Sequence, residues 1–129
     1  MKKTILTVLL LWYVFPLWAG ELKVGDKAPS FSLTDSFGKV YTLDSDDFKG
    51  RVVSVLYSAP SKKNLNSHVE NALLKDEGLD REYNYKGFSI VNLKASMYPN
   101  FIIRDMLKNK KEKTDAIILL DYDCTILNL

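Results

Sequence analysis

The chain of 129 residues has one cysteine, Cys124, and one histidine, His68. A lone thiol cannot close an internal disulfide, so the core must hold the fold without a covalent staple. One His and one Cys are also too few for a structural zinc site, and no metal or other cofactor is expected. Six glycines and four prolines are far below what collagen-like or low-complexity chains need. Charge of one sign is missing as well. The chain carries 18 Lys+Arg against 16 Asp+Glu, and two of those lysines, Lys2 and Lys3, lie in the first three residues. Without them basic and acidic residues balance, which gives no argument for a nucleic-acid partner.

What is present begins with a leader. Met-Lys-Lys is followed by an apolar run from Ile5 to Trp18, interrupted by Thr7 and Pro16, and then by Ala19-Gly20. A basic start, an apolar middle and a small-residue exit form the layout of a secretory signal peptide over residues 1–20. Leu17 is larger than the residue usual at its position before the cut, so cleavage after Ala19 and after Gly20 both stay open. The run is short for a membrane span of roughly 20 residues. A periplasmic or secreted protein is expected, with membrane contact only through the leader. No cysteine follows the apolar run, so a lipid-anchored form is not expected.

The remaining residues, 21–129, leave room for one domain. Phe31–Thr34 and Lys39–Leu43 alternate apolar and polar residues around the turn Asp35-Ser-Phe-Gly38, which predicts a β-hairpin. Phe48 reads as a plug into the core. Arg51–Tyr57 is dense in β-branched residues and predicts a central strand buried on both faces. Ser67 and Glu70 have capping-box spacing at the start of a helix that Gly78 would stop. Gly87–Leu93 predicts a second apolar strand. Pro99 opens a second helix with an apolar face of Ile102, Ile103, Met106 and Leu107. Its basic end, Lys108 to Lys113, predicts a tail fraying into solvent. Asp115–Asp121 predicts a third strand. Alternating strands and helices point to an α/β layer: an N-terminal hairpin followed by β-α-β-α-β with parallel strands.

Val24-Gly-Asp-Lys-Ala-Pro-Ser-Phe-Ser-Leu33, together with Phe48-Lys-Gly-Arg-Val-Val-Ser-Val-Leu-Tyr57, resembles the opening of the redoxins. These are thioredoxin-like proteins that include peroxiredoxins and exported thiol–disulfide reductases. Tyr85–Lys94 and Tyr98–Ile103 look closest to the periplasmic YtfJ-like group, whose function is unassigned. The resemblance implies a thioredoxin-like fold over Leu22–Leu129. It also implies an active-site loop after the first core strand, at Ser58, Ala59, Pro60, Ser61, Lys62, Lys63 and Asn64. Ser61 and Asn64 stand about where a Cys-x-x-Cys pair would stand, and neither can make a disulfide. Relatives continue past the last strand with a cis-proline loop, two antiparallel strands and a helix. Without these, the sheet is expected to keep an unpaired apolar edge.

The candidate sites follow from this. Cys124 is the one candidate catalytic thiol; no His, Lys or Arg lies near it in sequence to favour a thiolate. The plainer reading is an incidental cysteine. Asp121-Tyr-Asp123-Cys-Thr125 after an apolar strand has the Asp-x-Asp-x-Thr spacing of haloacid-dehalogenase-type phosphatases. The plainer reading is a strand end and an acidic turn. His68 reads as an exposed helix-start residue, and Lys62 and Lys63 as a solvated loop that could meet an anion. The leading expectation is a redox-inactive binding or accessory module. Its partner, unidentified, would be a protein meeting the Ser58–Asn66 loop or the exposed sheet edge. The alternatives are a thiol-dependent redoxin (peroxidase or disulfide reductase) using Cys124, or a truncated fragment with no activity of its own.

Overall fold

The computed structural model describes residues 22–114 and 116–128. The leader therefore lies outside the described residues. A five-stranded mixed sheet carries the fold, in the spatial order β2-β1-β5-β4-β3. Its strands are β1 (Ser32–Asp35), β2 (Val40–Thr42), β3 (Val52–Ser58), β4 (Tyr85–Asn92) and β5 (Ile117–Asp121). Helix α1 (Ser67–Lys75) links β3 to β4, and α2 (Asn100–Thr114) links β4 to β5. β3, β4 and β5 run parallel, whereas β1 is antiparallel to both β2 and β5. This is the expected α/β architecture, a hairpin followed by β-α-β-α-β.

The hairpin forms because Asp35 and Gly38 suit its turn. Gly38 adopts φ +87°, which favours glycine, and the Asp35 amide donates to the Lys39 carbonyl at 2.9 Å. Asp35 Oδ1 accepts from the amides of Phe37 (2.9 Å) and Lys39 (3.0 Å).

Side-chain alternation divides the core into two clusters. On one face Leu33, Tyr41, Phe48, Phe88, Ile90, Ile117 and Leu119 pack together. Phe48 is the expected plug; its ring stacks on Phe88 at 4.9 Å between centroids. On the helical face Ile103 of α2, with Leu107 beside it, closes over Val91, Leu93, Ile118 and Leu120. All of β5 is buried, because β1 and β4 flank it and both clusters cover it.

Three expectations need correction. β3 is not a central strand. Among the described residues it lies at the edge of the sheet, paired only with β4, and Val52 and Val55 are 57% and 47% exposed. A β-branched run signals a strand but not its place in the sheet. The capping box does not form. Asn66 is the N-cap residue and makes no side-chain cap bond, while Ser67 Oγ donates to the Asn64 carbonyl at 2.9 Å. The helix ends at Lys75, ahead of Gly78. Nor does the basic end of α2 fray into solvent. The helix continues through Thr114, and Lys111 Nζ donates to buried Asp35 Oδ2 in the hairpin turn. The same ammonium lies 5.4 Å from the Phe37 ring centroid and 5.9 Å from that of Tyr41.

Candidate functional site at the carboxyl ends of the parallel strands

β3, β4 and β5 end together, and their last residues bring polar groups to one place. The register pairs Ser58 with Val91 and Asn92 with Asp121. Tyr57, Asn92 and Asp121 follow the alternation of the Phe48 core, so they face the side of the sheet away from the helices. Asp121 is fully buried. Its carboxylate accepts from the amides of Thr125 (2.8 Å) and Ile126 (3.2 Å) and from the Tyr57 hydroxyl (3.3 Å). These bonds fold the segment after β5 back over the strand ends.

Cys124 sits in that turn at φ +58°, a left-handed conformation that costs a non-glycine residue energy. It is half-buried, and its Sγ donates to Asn92 Oδ1 at 3.3 Å. The same oxygen accepts the Ala95 amide at 3.2 Å. Burial pushes the Tyr57 phenol well above its ordinary range, and the neighbouring Asp121 carboxylate and Cys124 sulfur push it further the same way. The one thiol is thus built into a cluster with Tyr57, Asn92 and Asp121. Sequence reading named Cys124 and Asp121 but missed Tyr57 and Asn92, whose signal was only their place at the ends of two strands.

The Asp-x-Asp-x-Thr spacing does not gather two carboxylates for phosphoryl chemistry. Asp121 is engaged by its own turn, while Asp123 is exposed. Among the described residues, no group of three or more His, Cys, Asp or Glu side chains could hold a metal ion. His68 is exposed in the first turn of α1.

The Ser58–Asn66 loop begins at the same strand ends. A 3-10 turn, Pro60–Lys62, opens it, with the Lys62 amide donating to the Ala59 carbonyl at 2.9 Å. A second turn runs from Lys62 to Leu65 (2.9 Å), and Asn66 Nδ2 reaches back to the Tyr57 carbonyl at 3.5 Å. Because α1 starts only at Ser67, Ser61 does not occupy a helix N-terminus, where a dipole could favour an anionic nucleophile. Ser61, Lys62, Lys63 and Asn64 are all exposed.

Behind the loop, on the helical face, lies a cleft of about 400 Å³ bounded by Pro60, Asn66, Glu70 and Met106. It exists because the sheet offers α1 little to pack on. Of the helix-facing pairs of β3 and β4, Leu56 and Ser89 line this cleft, while Ser54 and Gly87 line a neighbouring one beside Leu73 and Leu74 of the same helix. A Cβ at Gly87 would come within 2.9 Å of the Tyr85 hydroxyl, which bonds Ser54 Oγ at 2.6 Å. No residue of α1 is buried as a result. The sheet separates this cleft from Cys124.

No protein-family profile and no curated relative matches the chain. Solved structures do. The pneumococcal exposed lipoprotein thioredoxin of Streptococcus pneumoniae superposes with a TM-score of 0.56 at 17% identity, over 78% of this chain and 71% of that one. The C-terminal domain of a thiol-disulfide oxidoreductase, described as putative, from Bacteroides thetaiotaomicron gives 0.51 at 22% identity, over 78% and 66%. The fold is thioredoxin-like.

Proposed function

We propose that this is an exported, redox-inactive thioredoxin-like protein of the YtfJ-like kind, acting as a binding or accessory module through its Ser58–Asn66 loop. One observation carries the reading. The Ser58–Asn66 loop, where the resemblance puts the redox pair of thioredoxin-like relatives, presents Ser61 and Asn64 in exposed turns bordering a cleft. A hydroxyl and an amide do no thiol exchange. Loops at the carboxyl ends of parallel strands are where α/β folds bind ligands, so the position suits recognition without chemistry. Periplasmic or secreted localisation rests on the basic-apolar-small pattern of residues 1–20.

A disulfide-reduction assay on the purified protein tests the negative half. The expected rate equals that of buffer with the same concentration of a small thiol. Turnover comparable to a thioredoxin reductant would sink the proposal.

The second reading has its own observation, the gathering of Cys124 with Tyr57, Asn92 and Asp121. A thiol-dependent peroxidase or reductase working through Cys124, with an external resolving thiol, would use that cluster. Cys124→Ser should then abolish peroxide or disulfide turnover. Under the leading proposal the variant matches the wild type in both assays.

A further inference from the structure

We infer that the free edge of β3 is an interface for a second copy of this chain, paired antiparallel about Val55 to form a sheet continuous across two molecules. The inference is independent of whether the protein does redox chemistry.

The backbone defines which groups are offered. The Val52 amide donates to the Asn84 carbonyl at 2.8 Å, so the even-numbered residues of β3 turn their N–H and C=O groups toward β4. The N–H and C=O groups of Val53, Val55 and Tyr57 therefore point away from the sheet, toward an edge that no strand covers among the described residues, where the Tyr57 carbonyl already accepts Asn66 Nδ2 at 3.5 Å. An antiparallel partner pairs such residues two by two, each pair exchanging two N–H···O bonds. Val55 is the middle residue of β3, so a two-fold axis through it sets Val55 against Val55 of the second copy. It also sets Val53 against Tyr57 of that copy. Every outward donor then meets an acceptor with no register slip, the Tyr57 carbonyl using its second lone pair beside the Asn66 contact.

The side chains agree with that register. β3 reads Val-Val-Ser-Val-Leu-Tyr-Ser, with no charge and no proline. It lacks the residues that ordinarily blunt an edge strand. Val55 is 47% exposed although its neighbours in the strand are half-buried, and the pairing covers it with its own copy. The ends are complementary in charge. Lys62 and Lys63 follow β3, and no acidic residue lies between Ser58 and Val69. Near the other end of the strand, residues 76–82 carry Asp76, Glu77, Asp80 and Glu82 against two arginines, Arg81 and the Arg51 that donates to its carbonyl. Antiparallel pairing brings the basic end of each copy toward the acidic end of the other. A two-fold contact of this kind closes on itself and does not propagate into a fibre.

Register-specific crosslinking of the full chain tests the inference. Cross-strand hydrogen-bonded residues lie roughly 5.5 Å apart between Cα atoms, within the span of about 4.4–6.8 Å that a disulfide accepts. In a Cys124→Ser background, Val55→Cys should give a covalent dimer under mild oxidation with diamide, whereas Ser61→Cys should not. Sedimentation of the wild type should show a dimer, and Val55→Pro, which removes an outward amide, should shift it to monomer. A wild-type chain that sediments as a monomer overturns the inference. So does Ser61→Cys crosslinking as fast as Val55→Cys, which would signal disordered association. Because the crosslinking comparison does not use Val55→Pro, it decides the matter even if that variant fails to fold.

Discussion

Lys111→Met is expected to destabilise the fold by about 3 kcal/mol, the lower end for breaking a buried ion pair from one side. In a domain of this size that lowers the melting temperature by roughly 15 °C. Asp35 is 2% exposed and Lys111 reaches it from the last turns of α2, so removing the ammonium strands a buried carboxylate. The Phe37 and Lys39 amides continue to donate to it, which keeps the loss from being larger. The double variant Asp35→Asn, Lys111→Met should recover much of the loss, since it buries no charge. Thermal melts of the single and double variants check this. A single variant within 1 °C of wild type would show that the contact contributes nothing.

The same pair sets a pH dependence. Burial alone would raise the Asp35 carboxyl. The hydrogen bond from Lys111, those from the Lys39 and Phe37 amides, and the charge of Lys111 outweigh it and hold the group below its ordinary 3.8. A carboxyl depressed in the folded chain stabilises it fully above the unfolded value and loses that contribution as pH falls through the folded value. Lys111 behaves in the opposite direction. Burial would lower it, but its bond to Asp35 holds it above 10.5. Its contribution is complete below 10.5 and is lost as pH rises through the folded value. Melts between pH 2 and 5 should therefore steepen toward acid in the wild type and flatten in Asp35→Asn.

The second large effect is expected at Asp121. Asp121→Ala removes the acceptor of three hydrogen bonds at once and leaves the Tyr57 hydroxyl with its nearest acceptor gone. Unsatisfied buried donors cost about 1–3 kcal/mol each. The turn can open the Thr125 and Ile126 amides to water, so a net loss of about 2–3 kcal/mol is expected. Two spectroscopic readings separate this from a general loosening. The Tyr57 phenol, raised first by burial and then by the Asp121 carboxylate and Cys124, should ionise at lower pH, seen by ultraviolet titration against Tyr57→Phe. Cys124 is held at φ +58° by that turn and should alkylate faster under native conditions. An unchanged alkylation rate would mean that the Asp121 bonds do not hold the thiol in place.

Several features were legible without coordinates because they depend on neighbours in sequence. Asp35-Ser-Phe-Gly38 between alternating runs specifies a hairpin, since the turn chemistry is local. Phe48 and the apolar run Ile117–Leu120 announce a core through hydrophobicity alone. That the chain holds a single cysteine, and so no pair of thiols, is likewise a fact of composition.

Other features depend on residues far apart in the chain. β3 and β5 are similar apolar runs, yet β5 is buried between β1 and β4 while β3 stands at the edge. Strand order is set by how crossovers pack, which no local pattern encodes. Lys111 resembled its neighbours in a basic run until the fold set it against Asp35, 76 positions away in sequence. Cys124 looked isolated because its partners, Asn92 and Tyr57, sit on other strands, and only parallel pairing brings the strand ends together. The sequence by itself determined the elements, the hairpin and the absence of paired thiols, because each rests on short-range chemistry. Tertiary structure alone decided which edge is open, which lysine is buried and what surrounds the one thiol, because those follow from contacts between distant segments.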